Sequence, residues 1–156
     1  MKNMFLAATL GLVLFTSCSK NAIDDNGGGG SSQVVAASAV PQAARTALAT
    51  NFPGASEIEW QRSSSSSFTS QFNQNSQRHS AGFDDSGHQS SHSIICLDAA
   101  VPAVVLEAFR ARFPTDVVYE WKLRNDGTWK AHLMRGAVKY EATFTAGGVL
   151  VKFEAA

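Results

Sequence analysis

The sequence predicts an α+β fold: two tandem repeats, each one helix packed on a four-stranded antiparallel meander, with the two meanders forming a joint sheet. Three observations carry the prediction. The chain lies on itself without a gap when shifted by 61 positions, so that Ala39-Val40-Pro41 falls on Ala100-Val101-Pro102, Phe52-Pro53 on Phe113-Pro114, and Glu59-Trp60 on Glu120-Trp121. Between 39–95 and 100–156, 11 of 57 positions are identical, where average composition would give roughly four. Each copy opens with apolar residues at helical spacing, and the second copy then changes to a period of two.

The second copy, 99–156, is the cleaner one. Val101, Val105, Ala108, Phe109 and Phe113 share one helical face. Pro102 sits in the first turn, where its missing N–H costs little, and Pro114 stops the helix, so one amphipathic helix is predicted over about 101–112. Four strands follow, each with one apolar face: Val117, Tyr119, Trp121 and Leu123; Trp129, Ala131 and Leu133; Val138, Tyr140, Ala142 and Phe144; Val149, Val151 and Phe153. Asn125-Asp126-Gly127, Arg135-Gly136 and Ala146-Gly147-Gly148 supply the left-handed positions of short hairpins, which makes the order a meander. The helix is expected to cover the apolar face, with Trp121 among the core residues. Lys130, His132, Lys139, Glu141, Lys152 and Glu154 lie on the opposite face and read as solvent-facing.

The first copy, 38–98, keeps the helix (Val40, Ala44, Ala47, Leu48, Phe52) and the first strand (Ile58, Trp60). Its later strands are eroded. Phe72, His79 and Phe83 stand where the second copy has Leu133, Tyr140 and Phe144, while His88, Ser90 and His92 replace Val149, Val151 and Phe153. Ser63 to Ser67 stand in place of the Asn-Asp-Gly hairpin and read as a polar, mobile loop. Two explanations fit: relaxed packing in a half that borrows its core from its neighbour, or a polar surface on which a partner docks. On the second, Ser65, Gln71, His79, His88 and His92 form the candidate binding surface.

Ahead of the repeats lies a targeting segment, 1–17. Lys2 gives a positive n-region, Met4 to Phe15 an apolar h-region too short to span a bilayer, and Phe15-Thr16-Ser17-Cys18 a small-residue cleavage site with the cysteine directly after it. The pattern resembles a bacterial lipoprotein signal, which implies that Cys18 becomes the lipid-modified first residue and anchors the chain to a membrane surface. Residues 18–37, with Gly27 to Gly30, read as a flexible tether whose r.m.s. span is about 25 Å.

Thirteen basic and thirteen acidic residues leave no net charge, so no nucleic-acid footprint or polybasic membrane patch is expected. No catalytic set emerges either. The serines include no Gly-x-Ser-x-Gly. His88 and His92 lie about 13 Å apart on a strand, too far to share a metal. Asp84-Asp85 with His88 read as turn chemistry. Cys96, flanked by Ile94, Ile95 and Leu97, reads as a buried apolar residue rather than a nucleophile. No metal, cofactor or catalytic residue is therefore expected.

Val101-Pro102, Phe109 and Phe113-Pro114, followed by the Glu120-Trp121 strand and the Trp129, Phe144 and Gly148 hairpin series, resemble the PepSY-like, β-lactamase-inhibitor-like family of bacterial envelope lipoproteins. Phe52-Pro53-Gly54-Ala55 fits the family pattern, and Phe113-Pro114-Thr115-Asp116 departs from it. The resemblance covers about 39–156 and implies non-catalytic protein binding, in some relatives inhibition of a hydrolase. Two function classes follow: a lipid-anchored binding or inhibitor-like module acting on an envelope or secreted protein, or an accessory envelope lipoprotein with no discrete enzyme partner.

Overall fold

The computed structural model describes residues 32–156; the targeting segment, Cys18 and the tether up to residue 31 lie outside them. A single antiparallel sheet of nine strands, in the order of the chain, runs through the described residues. Strand β1 (Gln33–Val35) and a 3-10 turn (Ala37–Ala39) lead into helix α1 (Gln42–Asn51), then β2 (Ser56–Arg62), β3 (Ser67–Gln74), β4 (Gln77–Asp84) and β5 (Gln89–Cys96). A second 3-10 turn (Asp98–Ala100) and α2 (Ala103–Arg112) precede β6 (Val118–Arg124), β7 (Trp129–Arg135), β8 (Val138–Phe144) and β9 (Leu150–Ala155). The two helices pack against one face of the sheet. β1 belongs to the stretch read as tether; Val35 pairs with Trp60, so the chain enters the fold earlier than its Gly/Ser composition suggests.

Pro41 and Pro102 stand at the N-caps of α1 and α2, just outside the first turn. Phe52 and Phe113 close the helices, their N–H groups donating to the carbonyls of Leu48 and Phe109. Each helix is then seated at a hairpin. Gly87 (φ +87) lies against Ala43 O, and Gly148 (φ +83) against Val104 O, where a Cβ would come within 2.7 and 2.8 Å of those oxygens. Any other residue at either position would both strain the turn and lift the helix from the sheet. Two apolar cores form under the helices, one from Val40, Leu48, Phe52, Trp60, Phe72 and Phe83, the other from Val105, Phe109, Trp121, Trp129, Leu133 and Phe144.

Irregularities in the ladder change which side chains reach those cores. Val118 pairs with Leu133 and Glu120 with His132, so a β-bulge inserts Tyr119 as an extra residue. Val118, not Val117 or Tyr119, therefore takes the inward position; Val117 and Tyr119, expected in the core, are 77 % and 46 % exposed. A matching shift between Ser56 and Glu59 leaves Ile58 exposed, with Glu57 at φ 48. Val149, Val151 and Phe153, also expected in the core, are all exposed. β9 is the edge of the sheet, and a bulge places Leu150 rather than Val151 opposite Phe144.

β5 departs in the opposite sense. A bulge at Gly82/Phe83 makes Ser90 the extra residue, after which His92, Ile94 and Cys96 face inward opposite Ala81, His79 and Trp121. The expectation that this strand has lost its apolar face fails because the strand runs on through Ile94 and Cys96, which read as connector and share the face of His92. β5 is an interior strand between β4 and β6, and its inward residues close the gap between the two cores. Ser63 to Ser67 form a tight turn, with Ser63 N donating to Ser67 O at 2.9 Å.

The bulge predicts a sharp contrast between near neighbours. Trp121→Ala, at 1 % exposure, should cost about 3–5 kcal/mol, whereas Val117→Ala should stay within about 0.5 kcal/mol. Denaturant midpoints read both, and comparable losses would place Val117 inside.

Candidate functional site

The helices cover one face of the sheet; no helix among the described residues packs on the other. The ladder pairings give that open face residue by residue. From β2 to β5 it carries Glu59 and Gln61, Thr69 and Gln71, Ser80 and Gly82, Ser91 and Ser93. From β6 to β9 it carries Glu120, Lys122 and Arg124, Lys130 and His132, Glu141 and Thr143, Lys152 and Glu154. Ser80, Ser93 and Thr143 are buried although they face away from the helices. The face is thus a polar surface with a shallow floor of small residues in its first half.

Its second half is more organised than a solvated face. Lys130 is ion-paired with Glu141, and Lys122 with Glu120 at 3.0 Å. Between these pairs sits His132, its side chain only 14 % exposed, with Nδ1 3.8 Å from Glu120 Oε1 and Nε2 3.6 Å from Glu141 Oε1. Tyr119, turned outward by its bulge, meets the imidazole edge-on at 6.0 Å. The Glu120 carboxylate favours a proton on the ring, but burial outweighs it. Desolvation first, then Lys122 and, behind the opposing Glu120, Lys130 and Lys139 push the imidazole down to about 3. His132 is neutral at pH 7, held in a ring of balanced charges with its Nε2 buried and without a hydrogen bond.

The five candidate surface residues do not form one surface. Gln71 lies on the open face, between Glu59 and Ser80. Ser65 is exposed at the β2–β3 turn. His88 is exposed in the β4–β5 turn, where its N–H and that of Ser86 both donate to Asp84 Oδ1 at 2.9 Å. Those bonds, the Ser86 hydroxyl foremost, hold the Asp84 carboxyl below its ordinary range. His79 and His92 correct the reading outright, because they face the helix. His79 is 6 % exposed, its ring stacked on Phe72 and on His92, and His92 packs on Phe52 at 4.8 Å. The two imidazoles share a hydrogen bond, Nδ1 of His79 to Nε2 of His92 at 3.0 Å, and the other His79 nitrogen bonds Gln74 O. Burial, then the neighbouring His92, lowers the His79 pKa. The pair is a polar patch in an aromatic core, both partners satisfied by one another. Among the described residues, no three His, Cys, Asp or Glu side chains cluster to hold a metal.

On the helix side, a cavity of about 300 Å³ opens between α1 and β2, lined by Arg45, Leu48, Phe52, Ile58 and Trp60 among others. Leu106 stands at the position of Arg45 in the second half and packs against that core.

No family model matches the chain, and no curated protein matches it. Solved structures do. A BLIP-like protein from Bacteroides fragilis superposes with a TM-score of 0.56 at 19% identity, over 74% of this chain and 86% of that one. A DUF2874 family protein from Bacteroides uniformis gives 0.57 at 19%, over 74% and 89%. A Bacteroides eggerthii protein described as a candidate periplasmic protein gives 0.55 at 21%, over 74% and 88%. At these identities the likeness is one of fold.

The state of His132 predicts a pH dependence. An unfolded imidazole titrates near 6.5, and the folded one near 3. Below about 6.5 the unfolded chain therefore takes up a proton that the fold refuses, and stability falls as pH drops toward 3. Between pH 7 and 5 the parent should lose about 2 kcal/mol more than His132→Gln, measured from urea midpoints. Equal losses would mean that the folded ring is protonated.

Proposed function

We propose that this chain is a lipid-anchored, non-catalytic binding module of the bacterial envelope, which presents the open face of its sheet to an envelope or secreted protein. The observation that carries the reading is the group on the second half of that face: an exposed tyrosine beside His132, with Glu120, Lys122, Lys130 and Glu141 already fixed in position. Side chains held in place by a sheet lose little freedom on binding, and tyrosine is enriched among the residues that dominate interfaces. The fold shared with the BLIP-like protein of Bacteroides fragilis supports binding over catalysis, and the description of the Bacteroides eggerthii protein as periplasmic supports the compartment. The sequence of 1–18 supports anchoring through Cys18. We propose further that the halves 38–98 and 99–156 are copies of one αβ unit, of the PepSY-like kind. Neither proposal names a β-lactamase as the partner.

An accessory envelope lipoprotein without a discrete partner is the second reading. It is favoured by the mutual neutralisation of the open-face charges, which leaves little net field to steer an incoming protein.

Affinity capture of the chain from detergent-solubilised envelope separates the two. One stoichiometric protein is expected, and it should be lost from Tyr119→Ala/Arg124→Glu while the melting temperature holds; recovery of bulk envelope proteins alone supports the accessory reading. The anchor is tested apart from this. Cys18→Ala should move the chain from the membrane pellet to the supernatant, and a variant that still pellets at high salt would overturn lipidation at that residue.

A further inference from the structure

Among the described residues no strand pairs with the outer edge of β9. The N–H of Ala156 donates to Lys139 O on β8 at 3.0 Å. By the alternation of an antiparallel ladder, the main-chain groups of Glu154 and Lys152 also face β8, and those of Phe153 and Ala155 point out of the sheet. Exposed Val151 and Phe153 line this edge. An apolar edge with free main-chain donors and acceptors is a template for another strand, which proteins commonly block with charge. Here the charges do not block it. Lys152 and Glu154 flank Phe153 symmetrically and are paired with each other along the strand at 2.6 Å. Glu154 also stands opposite Glu141, a like-charge neighbour that costs stability and already holds Lys130.

We propose that β9 pairs with the β9 of a second copy of this chain, antiparallel, about a two-fold axis through Phe153. In that register Lys152 of each copy faces Glu154 of the other, so the strand is complementary in charge to itself. The two Phe153 residues exchange both main-chain hydrogen bonds, and Val151 lies opposite Ala155. Each Phe153 ring already packs on Phe113 at 4.8 Å and Tyr140 at 5.3 Å, with the Arg135 guanidinium 4.9 Å away, so the two clusters merge across the axis. The adjacent two-fold registers set Lys152 on Lys152 or Glu154 on Glu154. Charge thus selects one register, and a two-fold pairing of edges closes at two copies.

Analytical ultracentrifugation of the full chain in detergent tests this, across protein concentration. Twice the protomer mass is expected for the parent, the protomer mass for Lys152→Glu, and twice the protomer mass again for Lys152→Glu/Glu154→Lys, all with the parent's far-UV circular dichroism, while the melting temperature rises with protein concentration only for the two that pair. A parent that stays monomeric up to its solubility limit overturns the proposal. So do masses that climb beyond two copies, or a charge-swapped variant that fails to reassociate. A second variant does not depend on charge. Hydrogen-bonded partners lie about 5.5 Å apart at Cα, within disulfide range, so in a Cys96→Ser background Phe153→Cys should cross-link two chains on oxidation and Glu154→Cys should not. The reverse pattern would place the axis elsewhere.

Discussion

The structure depends on how little helix there is to cover its sheet. Nine strands at about 4.8 Å spacing make a surface nearly 40 Å wide, while two helices about 10 Å in diameter shelter roughly half of it. Each helix covers an apolar core, complete under α2 and open under α1 only at the cavity beside β2, and what lies between or beyond the helices must find another solution. β5 lies between, and there His79 and His92 satisfy each other while Ile94 and Cys96 bridge toward Trp121. β9 lies beyond the cover and leaves Val149 and Val151 in solvent and Phe153 only partly sheltered. Seating the helices on Gly87 and Gly148 fixes where the shelter falls.

The open face follows from the same shortage. With both helices committed to one side, the other is left to side chains alone, and these organise themselves by charge. Lys122 with Glu120 and Lys130 with Glu141 form a frame that holds His132 neutral. Desolvation decides this outcome against the Glu120 carboxylate, and three lysines in the same neighbourhood add to it. A rigid, nearly neutral surface of this type offers shape and hydrogen bonds rather than a field.

Much of this was legible in the residues. Helical spacing with Val-Pro before and Phe-Pro after places the second helix to within two residues and shows that the first is present, and the Gly-containing turns place the hairpins of the second half. Face assignment along the strands was not legible. A strict period of two cannot see a bulge, and the bulges at Tyr119, Ser90 and Val151 each reverse the side chains on their N-terminal side. Tyr119 thereby reads as core when it is the exposed aromatic of the candidate site, whereas His92 keeps its inward face and reads as surface only because it is polar. His132 was read as solvated because a sequence shows the charges but not that they enclose one another. The runs Val117-Val118-Tyr119 and Ser90-Ser91-His92 break strict alternation, and that was the available signal.

β1 gives the fold a mechanical property. A load arriving from the N-terminal side of Gln33 enters through a strand of three residues hydrogen-bonded to one neighbour, while every later strand except β9 is held on both sides. Peeling breaks a few bonds at a time, so β1 yields first and releases about 10 Å of chain before the 3-10 turn and α1, next along the chain, take up the pull. The first strand acts as a slack coil, absorbing a tug without disturbing the rest of the domain.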